Sequence, residues 1–344
     1  MQKLKICAIG GTLVALLTLG LSSAVNAQTR IRYALAETDN PVAEVQGAKA
    51  FKEYVEFKSG GELEVELLFA TLGAGQRELT EMVQQGAIQM TLVADGAVTG
   101  FYKPLQVFAL PYLFPSSPVA WEFFHHPFTK AMQQDLLEKT GLRSVVWLEN
   151  GFRNMTNSKQ EVRTPADMQG LKMRTMESPV YMRFMESLGA AATPISFSEL
   201  VMSLQQGVVD GQENASPNVY ENGMADVQKF MSTTEHIYSV SLHLMNEDFY
   251  QSLTQGQRQI IMEGGQLEAS LVNALKVATD RSYIERIRDE KGLQVHITTA
   301  EEKEQFRALS QEPVREYITE QVGKELVDQL LAAVAEAQKN VYGQ

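Results

Sequence analysis

From residue 30 onward, apolar and polar positions recur with two different periods, and the changes of period mark out the elements. Arg30 to Ala36 reads as a short strand. From about Val42 to Lys58, Val45, Ala48, Phe51 and Val55 fall on one helical face, and Gly60-Gly61 ends the run. Glu62 to Phe69 then alternates, with Leu63, Val65, Leu67 and Phe69 on one side and Glu62, Glu64 and Glu66 on the other. That is the pattern of a strand with one wet face. Strand, helix and strand joined by short connections predict a mostly parallel sheet flanked by helices.

The pattern repeats itself. Glu78 to Gln89 (ELTEMVQQGAIQ) is echoed by Glu199 to Asp210 (ELVMSLQQGVVD), with five of the twelve positions identical at an offset of 121 residues. Each copy reads as a helix closed by a glycine just past its end and followed at once by a strand. Either such junctions are common enough to match by chance, or the chain holds two similar α/β units. The second unit is well punctuated. Thr164-Pro165-Ala166-Asp167 supplies an N-cap, a proline at the first helical position and an acid in the first turn. Leu171 to Arg174 reads as a strand, and Ser196-Phe197-Ser198-Glu199 fits a capping box.

Thr254 to Gly292 is helical in pattern, with Thr254 and Gln257 as its capping box. Such a length implies a helix that runs across two domains or breaks at Gly264-Gly265. Leu293 to Ile297 alternates like a strand, and Glu301 to Gln338 returns to helix. No low-complexity linker separates the units.

Residues 1–27 do not fit this scheme. Lys3 and Lys5 precede an apolar run from Ile6 to Leu21, and Val25-Asn26-Ala27 offers a small-residue cleavage pattern. This is a secretory signal peptide, with an uncleaved anchor as the rival reading, and it places the mature protein in the periplasm. Its removal takes away Cys7, the only cysteine, and with it thiol catalysis and cysteine-held metals. The 28 basic and 42 acidic residues that remain give a net charge of −14, which argues against nucleic acid and anionic membrane as partners. About 317 residues are enough for two domains. The apolar run Leu105 to Phe114 is broken by Pro111, so the mature chain is not expected to be membrane-embedded.

Catalytic signatures are missing. The sequence has no G-x-S-x-G, no H-E-x-x-H and no P-loop, and Gly73-Ala74-Gly75 fails as a dinucleotide fingerprint at its third glycine. His125 and His126 are adjacent and point apart, so no metal and no cofactor is expected. Polar groups gather instead at strand ends of the second unit, where open α/β sheets bind ligands. Arg174 ends one strand. Arg153 follows the strand-like Ser144 to Leu148, and Asn214 closes Asp210-Gly211-Gln212-Glu213-Asn214. A guanidinium grips a carboxylate with two parallel hydrogen bonds. Phe197 heads a helix, where free N–H groups favour an anion and its ring can stack on a flat ligand. Taken singly, these residues also read as surface ion-pair partners, a core ring and a polar turn.

At these residues the sequence resembles the substrate-binding proteins of tripartite ATP-independent periplasmic (TRAP) transporters. The segments that carry it are Phe108-Ala109-Leu110-Pro111-Tyr112-Leu113, Gly170 to Arg174, Leu188-Gly189-Ala190 through Ser198-Glu199, Asp210 to Asn214, and Asn246 to Tyr250. Arg174-Thr175-Met176 is closest to dicarboxylate-type and ectoine-type members. The resemblance implies an α/β fold of type II-like two-lobed binding proteins, with a long helix spanning both lobes. Lobe I would hold residues 28–150 and about 239–280, and lobe II residues 151–238 and about 281–312. Residues 313–344 would form a helical segment packed across both. It implies that Arg174 grips a carboxylate, with Asn214 as amide partner and Phe197 as packing ring. Arg153 maps onto the second arginine of sialic-acid-type members, and Glu37 onto the acid that meets the ectoine ring. Glu213 and Asp95 complete the expected ligand-binding set. Ala94 and Ala97 stand where sialic-acid-type members place a Glu and an Arg, which argues against sialic acid.

The expected role is therefore capture of a small carboxylate-bearing solute between closing lobes, an organic acid, sugar acid or zwitterion, for delivery to TRAP membrane permease subunits. The rivals are a periplasmic enzyme and a ligand sensor on the same scaffold.

Overall fold

The computed structural model describes residues 28–343, so the expected signal peptide lies outside the described residues. The strands are β1 (Thr29–Leu35), β2 (Leu63–Phe69), β3 (Met90–Ala94), β4 (Leu142–Asn157), β5 (Lys172–Thr175), β6 (Ala191–Pro194), β7 (Gly211–Ala215), β8 (Phe230–Ser232), β9 (Tyr238–Asn246) and β10 (Gln294–His296). The helices of the first half are α1 (Ala43–Lys58), α2 (Gln76–Gln84), α3 (Asp95–Val98), α4 (Ser117–Phe124) and α5 (Pro127–Thr140). They are followed by α6 (Pro179–Ser187), α7 (Leu200–Gln205), α8 (Ser216–Glu221), α9 (Glu247–Ser252), α10 (Gln255–Asp289), α11 (Ala300–Val322) and α12 (Lys324–Tyr342).

Strand β4 explains the two-lobed shape. Its first part, Leu142 to Phe152, pairs antiparallel with β9; its last part, Arg153 to Asn157, pairs antiparallel with β7 and β8. One sheet therefore runs β2-β1-β3-β9-β4 and the other β4-β7-β5-β6, with β8 also paired to β4 and β10 to β8. A single 16-residue strand carries the chain from one lobe into the other. In sequence the strand-like pattern covers only Ser144 to Leu148 and stops before Arg153. In the fold Gly151, at φ 113°, passes through a register shift without ending the pairing.

The echoed segments occupy matching places. Strands β1 and β5 are each flanked by two parallel neighbours, β2 and β3 in one lobe and β6 and β7 in the other. Gly86 (φ 73°) and Gly207 (φ 69°) close α2 and α7 in the left-handed conformation that a side chain would strain. The 121-residue offset persists beyond the similar sequence: β3 turns into α3 after Ala94, and β7 turns into α8 after Ala215.

Helix α10 runs unbroken for 35 residues, opened by the Thr254–Gln257 capping box. Gly264 and Gly265 do not break it; they let it lie close. A Cβ on Gly264 would meet Phe51 and Val55 of α1 at 3.1 Å, and one on Gly265 would stand 2.5 Å from Val145 of β4. Farther along, α10 packs on α8 of the second lobe, so it spans both. The helical pattern of 301–338 resolves into two helices, because Gly323 (φ 90°) turns the chain between α11 and α12. α11 packs on α6 of the second lobe and α12 on α4 of the first.

Candidate functional site

Between the lobes lies a cleft with about 560 Å³ of empty space, its mouth included. The ends of β1, β3, β5 and β7 converge on it, as expected for open α/β sheets. Of the seven residues predicted to bind ligand, five line it: Arg174, Asn214, Arg153, Phe197 and Glu37.

Arg174 sits on β5 and is 2% exposed. Its Nε donates to the Ile195 carbonyl at 2.8 Å, and its Nη1 is buried with no partner among the described residues. Burial, helped by the nearby charge of Arg153 and opposed by Glu213, pulls its pKa down to about 10. A buried cation with an empty donor is costly unless an anion fills the place.

Arg153 is also buried, but its charge is already met. Its Nε and Nη2 donate to the Glu213 carboxylate, Nη2 also to the Glu213 carbonyl, and Nη1 to Asn214 Oδ1 at 3.4 Å. Burial alone would raise Glu213; Arg153 and a hydrogen bond from His236 hold it down to about 2. Glu213, expected in the ligand-binding set, is not among the residues that line the cleft; both its oxygens serve Arg153 and His236. Asp95, also expected in that set, is likewise not in the cleft lining. It is wholly buried at the start of α3, accepts from Ser239 at 2.7 Å and Tyr181 at 3.3 Å, and does not reach the cleft. Burial, only partly offset by those partners and Arg153, raises it to about 6.

Asn214 accepts through Oδ1 from Arg153, Asn218 and the Ala215 N–H, so its amino group is the end left to donate. Phe197 presents a half-buried ring at the head of a three-residue 3-10 turn that leads into α7. Glu37 follows β1 and is 6% exposed. Burial and the neighbouring Glu44 raise its pKa to about 7.

The sequence pattern did not point to Gln76, Asn150, Asn218, Glu44, Met176 and Glu177 in the cleft wall. A signal for two of them existed. Extended by its own offset, the echo pairs Gln76 with Phe197 (197 − 76 = 121), Val93 with Asn214 (214 − 93 = 121) and Ala97 with Asn218 (218 − 97 = 121), and all six line the cleft. At the two later pairs the second lobe carries an amide where the first carries an apolar side chain. The side-chain amides of these two pairs thus lie on the second lobe, while the first lobe contributes the carboxyl groups of Glu37 and Glu44 and the amide of Gln76. Among the described residues no His, Cys, Asp and Glu cluster could hold a metal, and no helix is long and apolar enough to cross a membrane.

Two α/β lobes joined by a shared strand and a shared helix, with a polar cleft between them, define a two-lobed solute-binding protein. Residues 36–321 match the family described as bacterial extracellular solute-binding protein, family 7, and the chain belongs to it. It is 33% identical over 311 residues to a solute-binding protein of Verminephrobacter eiseniae (strain EF01-2), covering 89% of this chain and 90% of that one. Its fold is that of the TRAP periplasmic solute-binding proteins. A Bordetella bronchispeptica member with density interpreted as pantoate has a TM-score of 0.83 at 29% identity, covering 88% of this chain and 99% of that one. The sugar acid binding protein DctPAm of Advenella mimigardefordensis strain DPN7T, in complex with galactonate, has a TM-score of 0.86 at 25% identity, covering 90% and 99%.

Proposed function

We propose that this chain is the periplasmic binding subunit of a TRAP transporter, which captures a small carboxylate-bearing solute on Arg174 and delivers it to membrane permease subunits without chemical turnover. One observation carries this reading: a guanidinium buried in the interlobe cleft with an unpartnered Nη1. The named ligands of the two structural relatives above, galactonate and pantoate, are both carboxylic acids and support it.

In this reading, Asn214 donates to the same carboxylate, Phe197 packs against the ligand and Glu37 faces it from the opposite lobe. Arg153 and Glu213 form a fixed pair that positions Asn214. The lobes comprise residues 28–150 with about 239–280, and 151–238 with about 281–312. Closure expels water and strengthens the ion pair.

Calorimetric titration with a panel of organic acids tests it. Arg174→Ala is expected to weaken binding by about 2–5 kcal/mol with the melting temperature held or raised. Arg174→Lys is expected to weaken it too, because the planar fork is lost. Unchanged affinity in Arg174→Ala sinks the proposal.

A further inference from the structure

The wall opposite Arg174 has its own unmet groups. Glu37 and Glu44 line the cleft, are 6% and 4% exposed, and each holds a buried Oε2 without a partner among the described residues. The other oxygen of each is occupied: Glu37 Oε1 accepts from Gln76 at 3.4 Å, and Glu44 Oε1 meets Lys276 Nζ at 2.6 Å. Lys276, from α10, is itself 2% exposed and also donates to Asn218 Oδ1 at 3.3 Å.

Pairing the charges leaves little choice of ligand. Arg153 is matched by Glu213, and Lys276 by Glu44. What remains on the cleft wall is one guanidinium, Arg174, and the carboxyl groups of Glu37 and Glu177. The cleft therefore offers one place for an anion, and beyond it a wall of acceptors that need donors.

Resting on the function proposed above, we infer that the ligand is a hydroxylated monocarboxylate, whose carboxylate meets Arg174 and whose hydroxyls donate to Glu37 and Glu44, and that the same two residues reject dicarboxylates. A second carboxylate would lie against Glu37 and Glu44 with no free cation to receive it, and like charges in a desolvated site repel strongly. An unsubstituted aliphatic acid would leave both Oε2 atoms unpaired, which a site built to bond a hydroxyl rejects. A ligand ammonium would stand beside Lys276, which already supplies this wall's cation. With its pKa near 7, Glu37 is close to half protonated at neutral pH, and a hydroxyl serves either form, donating to one or accepting from the other.

Matched ligand pairs test this on the whole mature chain by calorimetry. D-galactonate is compared with galactarate and D-erythronate with meso-tartrate, partners that differ only in a terminal CH2OH or carboxylate. Hexanoate lacks the hydroxyls, and proline adds an ammonium. At least one hydroxylated monocarboxylate is expected to bind tenfold or more tighter than its dicarboxylate partner, hexanoate and proline. Glu37→Gln, with its folding checked by thermal unfolding, is expected to narrow the gap within that pair at least threefold. Binding of a dicarboxylate, hexanoate or proline as tight as that of any hydroxy acid, an unchanged gap in Glu37→Gln, or no binding by either hydroxy acid overturns the inference. If the acid that binds instead is lost in Arg174→Ala, the carboxylate reading stands and only this inference falls; if no carboxylate binds at all, both fall.

Discussion

The deepest charges of the second lobe, Arg153 and Glu213, neutralise each other in a buried ion pair. Removing one partner of such a pair leaves the other buried and bare, which costs about 3–5 kcal/mol. Glu213→Gln is therefore expected to lower stability by that order in urea unfolding, whereas Arg153→Met with Glu213→Leu should recover most of the loss. Equal destabilisation by the single and double variants would show that the pair is not the source. Glu37 works in the opposite sense. Its folded pKa of about 7 lies above the ordinary 4.5, so the folded protein keeps a proton that the unfolded chain sheds between those values. Stability from this group is full below about 4.5 and falls as pH rises through 7. Glu37→Gln removes that loss. The ligand-free variant should gain on the order of 1–3 kcal/mol over wild type at pH 8 compared with pH 4, as read by melting curves at both values. At this scale the sequence was legible where a family motif named the residue, as for Arg174, Asn214, Phe197 and Glu37, all of which line the cleft. It did not show that Asp95 and Glu213 lie off the cleft wall, because residue type shows that a carboxylate is present but not which neighbour it has already satisfied.

Periodicity located most elements well, since β1, α1 and β2 follow from alternation and a single apolar face. It did not locate the continuation of β4 through Gly151, or decide whether Gly264-Gly265 breaks α10, because both outcomes depend on what packs against the element. In α10 the glycines mark contact with α1 and β4. Gly265→Ala would set a methyl 2.5 Å from Val145, and overpacking of this kind costs about 1–3 kcal/mol. Gly256→Ala in the first turn of the same helix meets nothing within 4 Å. It is expected to be neutral or to stabilise by up to about 1 kcal/mol through helix propensity. Matching effects of the two substitutions in thermal unfolding would show that close packing at Gly265 plays no part.

Across the whole molecule the lobes touch through a partly buried contact, where Asn40 donates to Asn222 at 3.0 Å, and a buried one, where Thr99 donates to Ser178 at 3.2 Å. Both are single hydrogen bonds, which water could replace if the lobes open in the proposed capture. A saturating acid should therefore shrink the radius of gyration of wild type in small-angle scattering and leave Arg174→Ala unchanged. An unaltered radius in wild type would remove closure from the mechanism. The two-lobed plan was legible in the echoed segments, but the crossing points were not, since they depend on which distant strand completes each sheet. The order of strands also bears on synthesis. β9 is sandwiched between β3 and β4 yet is the last of the three to be made, after the whole stretch 158–237. Until then two bare strand edges face a gap, so the amino-terminal half of the polypeptide cannot mature by itself as it leaves the ribosome. Any fragment ending before Tyr238 should remain soft and protease-sensitive, because its unpaired edges have no later strand to close them.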